Sequence, residues 1–156
     1  MKLFIFREWD LVDRFFITMR LTQKFINEIA YRVVGCAINV HKEIGPGLLE
    51  SIYEDCFVIE CQIEGLNIEK QKEIRICYKD QIIERKFRLD VLVEDLIIVE
   101  LKAVESLNKI HQAKLISHLN ITRKPKGLLI NFNCLNIVNE GLVPLVNEIF
   151  RKYPLD

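Results

Sequence analysis

The residues best suited to catalysis lie in the segment 88–102, which contains Asp90, Glu100 and Lys102. A run of apolar β-formers at 96–99 leads straight into Glu100, and Asp90 precedes that residue by ten positions. Because side chains alternate faces along a strand, Glu100 and Lys102 are expected to project from one face. Two charges at the end of a buried strand are costly unless they are paired or used. With Asp90 on a neighbouring strand, the three side chains would form a divalent-metal site beside a lysine, as phosphodiester hydrolysis requires.

The chemistry fixes the role expected of each residue. In-line attack of water on a phosphodiester gathers negative charge on oxygen, and Mg²⁺ or Mn²⁺ stabilises that charge. Hard cations take oxygen ligands, so we expect the carboxylates of Asp90 and Glu100 and the main-chain carbonyl of Leu101 to bind the metal. Lys102 would then contact the attacking water or the phosphate. The alternative, and the usual meaning of such a pattern on its own, is a solvated strand end with a surface ion pair. The apolar strand that precedes the charges strengthens the case for catalysis without deciding between the two.

Apolar periodicity predicts the elements that position these residues. Two helices are expected first, separated by Gly45-Pro46-Gly47, and the second should bury an apolar stripe. Three strands should follow, the first two joined by a hairpin turn at Lys79-Asp80. A helix, a fourth strand, an optional further strand and a terminal helix complete the predicted order. The predicted ranges are 22–44 and 48–64 for the helices, 67–78, 81–94 and 96–102 for the strands, 107–121 for the third helix, 127–132 for the fourth strand and 144–152 for the last helix, with Ile52, Cys56, Ile59 and Ile63 as the stripe.

This order predicts a mixed β-sheet flanked by helices, of the α/β or α+β class. The length of 156 residues suits a single domain, which we place at 19–156. Residues 1–18 carry charges that interrupt any hydrophobic region, so they are not expected to be a signal peptide. Met19 opens a more regular helical pattern, and 1–18 is interpreted as an extension upstream of the true start, with an additional packed element as the alternative.

Composition limits the function classes. The 22 basic and 22 acidic residues cancel, so any nucleic-acid binding must come from local segregation of charge. No apolar run is long enough for a membrane helix. The five cysteines are odd in number and show no Cys-x-x-Cys spacing, which is typical of reduced thiols in a cytoplasmic protein and argues against a zinc site.

A second informative segment, at 41–53, contains Gly47, Glu50 and Tyr53. Glu50 and Tyr53 are three residues apart and would share a helix face. A carboxylate there could bind metal, directly or through water, with Tyr53 orienting it. The alternatives are that Glu50 only complements the helix dipole and that Tyr53 only packs in the core.

The segment resembles the signature of the GxxExxY family, and the likeness extends from about Ile29 to Asn147. That family is similar to the PD-(D/E)XK nucleases, whose restriction-endonuclease-like core has the order of elements predicted above. The resemblance implies that Asp90, Glu100 and Lys102 are the catalytic D-(x)n-E-x-K residues. It also implies that Glu50 supplies the acidic position of the first core helix.

The helix at 107–121 departs from the family pattern. Its members usually carry Gln-x-x-x-Tyr there, whereas this chain has Lys114 and His118. His111, Lys114 and His118 would share one helix face, and no Asp or Glu occurs from Ser106 to Asn139. A basic surface of this kind could contact a nucleic-acid backbone or could be an ordinary solvated face.

Three functions follow as hypotheses. The first is a Mg²⁺- or Mn²⁺-dependent nuclease acting on DNA or RNA, with Lys114, His118, His111 and Tyr53 as nucleic-acid contacts. The second is a nuclease-like module without catalysis, which binds nucleic acid or assembles with protein. The third is a hydrolase of small phosphate esters. A homodimer is expected from the symmetry with which small nucleases meet a duplex.

Overall fold

The computed structural model describes residues 21–156, and within them ten elements follow one another. The order is two helices, three strands, a helix, a strand, a single π-helical turn, a strand and a short helix. They are α1 (Gln23–Ile44), α2 (Glu50–Ile63), β1 (Ile68–Tyr78), β2 (Gln81–Val93), β3 (Ile97–Lys102), α3 (Lys109–Thr122), β4 (Lys126–Asn131), the π-helical turn Ile137–Gly141, β5 (Leu142–Val146) and α4 (Glu148–Lys152). The predicted fold class, a mixed sheet flanked by helices, is confirmed.

The five strands form one sheet in the order β1-β2-β3-β4-β5. Only β3 and β4 are parallel, and α3 makes the crossover between them. The predicted hairpin turn at Lys79 and Asp80 is present, and both residues have positive φ, as a tight hairpin turn requires. The turn at Glu94 and Asp95 has the same character. Short connections therefore hold β1, β2 and β3 as an antiparallel meander.

Helices cover both faces of the sheet. On one face α1 and α2 pack against Val91, Val99 and Leu101. On the other face α3 contributes Leu115 and Leu119, which pack with strand residues in a second cluster. β3 lies between the two layers, and its first five residues are buried. Successive side chains of β3 thus point alternately into the two clusters.

The predicted apolar stripe of α2 is wrong. The buried residues of this helix are Tyr53, Phe57 and Cys61, which are spaced four apart. Ile59 is 56 % exposed and Ile63 is 73 % exposed, so these two face solvent. Two apolar stripes run along α2. Hydrophobicity alone did not show that the buried one is the stripe with the large aromatic residues, which fills the space beneath α1.

The predicted last helix begins too early. Residues 142–146 form an edge strand antiparallel to β4, and the helix starts only after Asn147, whose side chain accepts hydrogen bonds from the main-chain N–H of Ile149 and Phe150. Pro144 is compatible with this strand, because proline is tolerated at the edge of a sheet, where its missing N–H is not needed. The prediction did allow a further strand before the last helix.

Other expectations concern the rest of the chain. The interpretation of residues 1–18 as an upstream extension lies outside the described residues. Among residues 21–156, no helix combines the length and the apolar character that crossing a bilayer would require. All five cysteines are free thiols, as expected, although Cys77 is exposed at the end of β1.

Candidate functional site

Asp90 and Glu100 lie side by side on neighbouring strands. The antiparallel register pairs Val91 with Val99, so its next step sets Asp90 opposite Glu100. The main-chain N–H of Leu101 donates a hydrogen bond of 2.9 Å to Asp90 Oδ2, which fixes that carboxylate at the end of β3. Glu100 is fully buried beneath α3. Two carboxylates from separate segments therefore meet where the apolar strand ends.

The ammonium group of Lys102 connects the acidic residues. Its Nζ lies 3.1 Å from Glu100 Oε1, 3.9 Å from Asp90 Oδ2 and 3.4 Å from Glu50 Oε1. It also donates a hydrogen bond of 2.6 Å to the carbonyl of Leu101, the oxygen predicted to bind metal. The Lys102 side chain is only 12 % exposed, so these partners hold it in place.

Helix α3 supplies two more groups to Glu100. Lys114 Nζ donates a hydrogen bond to Glu100 Oε1, although the lysine side chain is 47 % exposed. The Nδ1 atom of His118 lies 3.8 Å from Glu100 Oε2, which is too long for a hydrogen bond. Neither His118 Nδ1 nor Glu100 Oε2 has a hydrogen-bond partner among the described residues. The imidazole is held by stacking on Phe87, with 4.5 Å between the ring centroids.

Burial and charge set the pKa values of these groups. Burial, together with the adjacent Glu100 carboxylate, raises the pKa of Asp90 to about 6. Burial would also raise the pKa of Glu100, but Lys114 and Lys102 outweigh it and hold that pKa below its usual value. Burial would lower the pKa of Lys102, and the neighbouring carboxylates raise it instead. Burial lowers the pKa of His118, which favours a neutral imidazole.

Glu50 and Tyr53 share the first turns of α2 but have different surroundings. Glu50 is 46 % exposed and reaches the site through Lys102. Tyr53 is fully buried, and its ring stacks on Phe132. The Tyr53 hydroxyl donates to the carbonyl of Gly45 at 2.7 Å and accepts from the N–H of Leu48 at 3.1 Å. Tyr53 therefore fixes the connection from α1 to α2, from which Glu50 projects.

The residues predicted to contact nucleic acid are not equivalent in the structure. Tyr53 and His118 are buried, which does not fit a direct contact; for Tyr53 the core-packing alternative describes its position. His111 belongs to the capping box of α3, in which its Nδ1 accepts from the N–H of Asn108 at 3.3 Å. Only Lys114 is substantially exposed beside the carboxylates.

Two residues that the sequence analysis did not single out support the site. Asn131 pairs in register with Lys102. Its buried side chain accepts a hydrogen bond from the N–H of Val104 and donates one to the carbonyl of Val104. It thereby fixes the chain where it leaves β3. Phe87 supports His118 from the hairpin. A buried amide at a strand end is a usable sequence signal, whereas the stacking partner depends on the packing of α3.

The donor atoms suit a hard divalent cation. In the described residues, no three acidic, histidine or cysteine side chains converge as a ready cluster, because Glu50 is separated from the other carboxylates by Lys102. However, Glu100 Oε2 is a buried carboxylate oxygen without a hydrogen-bond partner, and Asp90 lies beside that residue. Oxygen donors of this kind fit Mg²⁺ or Mn²⁺, and Asp90 and Glu100 are the residues that would hold the ion.

The sequence model of the PD-(D/E)XK nuclease superfamily matches residues 27–142, from α1 to the start of β5. The chain belongs to the PD-(D/E)XK nuclease superfamily. Searches of curated proteins and of solved structures gave no significant match. The prediction of the superfamily is confirmed, and the assignment supports a nuclease-like function. Nucleases of the PD-(D/E)XK superfamily generally use divalent metal ions. Asp90, Glu100 and Lys102 have the order and spacing that its name describes.

Proposed function

We propose that this protein is a nuclease that hydrolyses phosphodiester bonds with the help of Mg²⁺ or Mn²⁺. The observation that carries the proposal is the position of Lys102, whose Nζ lies within 4 Å of carboxylates from three elements, Glu50, Asp90 and Glu100. A bound divalent ion would supply charge stabilisation and a water of lowered pKa.

The side chains divide the work as follows. Asp90 and Glu100 would hold the ion, and the N–H of Leu101 keeps Asp90 oriented. Glu50, on the exposed rim, would bind the ion through water or would orient Lys102. Lys102 would contact the attacking water or a non-bridging oxygen of the phosphate, because its ammonium group is fixed beside the carboxylates that would hold the ion.

One observation favours the second candidate function, a nuclease-like module without catalysis. Glu100 already carries two ammonium partners, Lys102 and Lys114, both on Oε1. If these ion pairs persisted in solution, the charge of the carboxylate would be compensated without metal. Such a protein would still bind nucleic acid through its basic residues, or would assemble with protein.

Metal-dependent cleavage separates the two candidates. Purified protein with Mn²⁺ and plasmid or single-stranded DNA should produce cleavage that ceases with a chelator. Asp90→Ala and Lys102→Ala should each lose at least about a hundredfold in rate, since the first removes a carboxylate that would hold the ion and the second removes the ammonium group beside the reacting phosphate. Lys152→Ala in α4 serves as the control for loss of an exposed lysine and should cut as the wild type does.

Equal residual cutting by the wild type and both site variants would indicate a contaminating nuclease and remove the catalytic proposal. Nucleic-acid binding without Mn²⁺ binding would support the inactive module. The same assay with RNA tests the substrate, for which we propose DNA.

Two finer proposals accompany the function. We propose that the chain belongs to the GxxExxY branch of the superfamily, supported by Gly47, Glu50 and Tyr53 and by the hydrogen bond that ties Tyr53 to Gly45. The predicted homodimer stays a prediction. The exposed isoleucines of α2 are compatible with an association surface, and they do not identify what covers it.

A further inference from the structure

We infer that Lys114 is an exchangeable counter-ion, which neutralises Glu100 before metal binds and pairs with a substrate phosphate afterwards. This inference rests on the proposed function and deepens it. It assigns to Lys114 a substrate-positioning role that couples metal binding to phosphodiester binding.

The two lysines at Glu100 differ in how firmly they are held. Lys102 is 12 % exposed and has three carboxylates and the carbonyl of Leu101 as partners. Lys114 is 47 % exposed, and Glu100 is its only ion-pair partner among the described residues. A lysine side chain has a flexible four-carbon stem, so Lys114 can leave Glu100 without any movement of α3. Lys102 cannot leave without breaking the whole group of contacts.

Charge balance indicates when Lys114 should leave. Glu50, Asp90 and Glu100 face the ammonium groups of Lys102 and Lys114, which leaves one uncompensated negative charge. A divalent cation beside Glu100 would reverse that excess and repel Lys114, because like charges at such short distances in a buried site interact strongly. After Lys114 has left, the inner group is neutral.

A phosphodiester then restores a partner to the displaced ammonium. Its single negative charge would arrive next to the metal, within reach of a lysine that starts one hydrogen bond away from Glu100. Metal and phosphodiester should therefore strengthen each other's binding by the same factor, as linkage requires. A phosphate contact of this kind positions substrate without reading its sequence.

Calorimetry on the full-length protein tests the exchange without any measurement of activity. Mn²⁺ should bind Lys114→Gln about tenfold more tightly than the wild type, because the competing charged hydrogen bond is gone. Lys114→Arg, which keeps the charge, should bind Mn²⁺ like the wild type. Lys109→Gln, in the first turn of the same helix, is the matched control and should also resemble the wild type.

The second measurement repeats the titration with dimethyl phosphate, the simplest phosphodiester. It should tighten Mn²⁺ binding in the wild type and in Lys114→Arg, and have no such effect in Lys114→Gln. Equal Mn²⁺ affinities for the wild type and Lys114→Gln, or no tightening in the wild type, would overturn the exchange and leave the proposed function standing. Absence of Mn²⁺ binding in every variant, all of them folded by circular dichroism, would overturn the proposed function itself.

Discussion

Asp90 has opposite effects on the proposed metal binding and on the stability of the metal-free fold. Its carboxylate is needed next to Glu100 if the pair is to hold a cation. In the absence of a cation, the same proximity and the burial of the group raise its pKa to about 6. Ionised Asp90 is therefore a destabilising element of the metal-free fold, as is common for groups kept for function.

The first consequence is a pH-dependent stability difference. Because the folded-state pKa of Asp90 is raised above its ordinary value of 3.8, its contribution to stability is most favourable below pH 4 and is lost as pH rises through 6. Asp90→Asn should thus stabilise the metal-free protein by about 1–3 kcal/mol at pH 8 and have little effect near pH 4. Urea unfolding with chelator present measures both values.

Asp80→Asn is the matched control, because Asp80 lies exposed in the hairpin turn and asparagine tolerates its positive φ. It measures the effect of the same substitution at an exposed site, and its stability difference from the wild type is subtracted from that of Asp90→Asn at each pH. A gain for Asp90→Asn that was the same at both pH values would contradict a pKa origin.

At the scale of elements, the approach of α3 to the sheet sets the geometry of Glu100. A Cβ atom placed on Gly127 of β4 would lie 2.9 Å from the side chain of Leu115, so the helix sits as close as this glycine permits. Lys114 and His118 reach Glu100 from the same helix. A small outward shift of α3 would weaken both contacts.

Gly127→Ala should therefore destabilise the protein by about 1–3 kcal/mol, the usual cost of overpacking. The control is Gly35→Ala in α1, where the added methyl would meet nothing within 4 Å; alanine's helix propensity should make it neutral or stabilising by up to about 1 kcal/mol. Thermal unfolding of the two variants provides the comparison, and similar shifts for both would refute the close-packing argument.

Local signals explain how much of this fold the sequence could predict. Lys79-Asp80 and Gly45-Pro46-Gly47 marked turns because their backbone conformations are dictated locally, and Thr22 begins α1 as its N-cap residue. The stripe of α2 could not be chosen by hydrophobicity, since isoleucines lie on the exposed side. The start of the last helix was missed because an apolar segment with one proline fits either an edge strand or a helix.

At the site, too, local signals were predictive and contacts that depend on packing between elements were not. Strand alternation placed Glu100 and Lys102 on one face, and the register of the neighbouring strand brought Asp90 to them. The ion pair between Lys114 and Glu100 could not be predicted, because it depends on how far α3 lies from the sheet and on the rotamer of a long side chain.

At the scale of the whole molecule, the C-terminal segment is joined to the beginning of the described chain. The N–H groups of Gln23 and Lys24, at the start of α1, donate to the carbonyls of Pro154 and Leu155 at 2.8 and 3.2 Å. The side chain of Gln23 donates to the carbonyl of Tyr153 at 2.8 Å. N–H groups in the first turn of a helix have no partner within that helix, so the last residues act as its cap.

A chain that stops at Lys152 should be less stable by about 1–2 kcal/mol, because these hydrogen bonds are lost. Hydrogen exchange should accelerate at Gln23 and Lys24 and remain slow at the centre of β3, which is buried. Unchanged exchange at the start of α1 would show that water or other groups replace the cap.

The position of this cap also has a practical consequence. α1 has 22 residues and therefore spans about 33 Å, with Pro154 beside its first turn and Gly45, which leads towards Glu50, just after its last. Tethering the protein to a sensor surface through its carboxyl terminus should consequently leave the carboxylates of the candidate site open to solution. Long nucleic acids should then reach immobilised molecules as freely as dissolved ones.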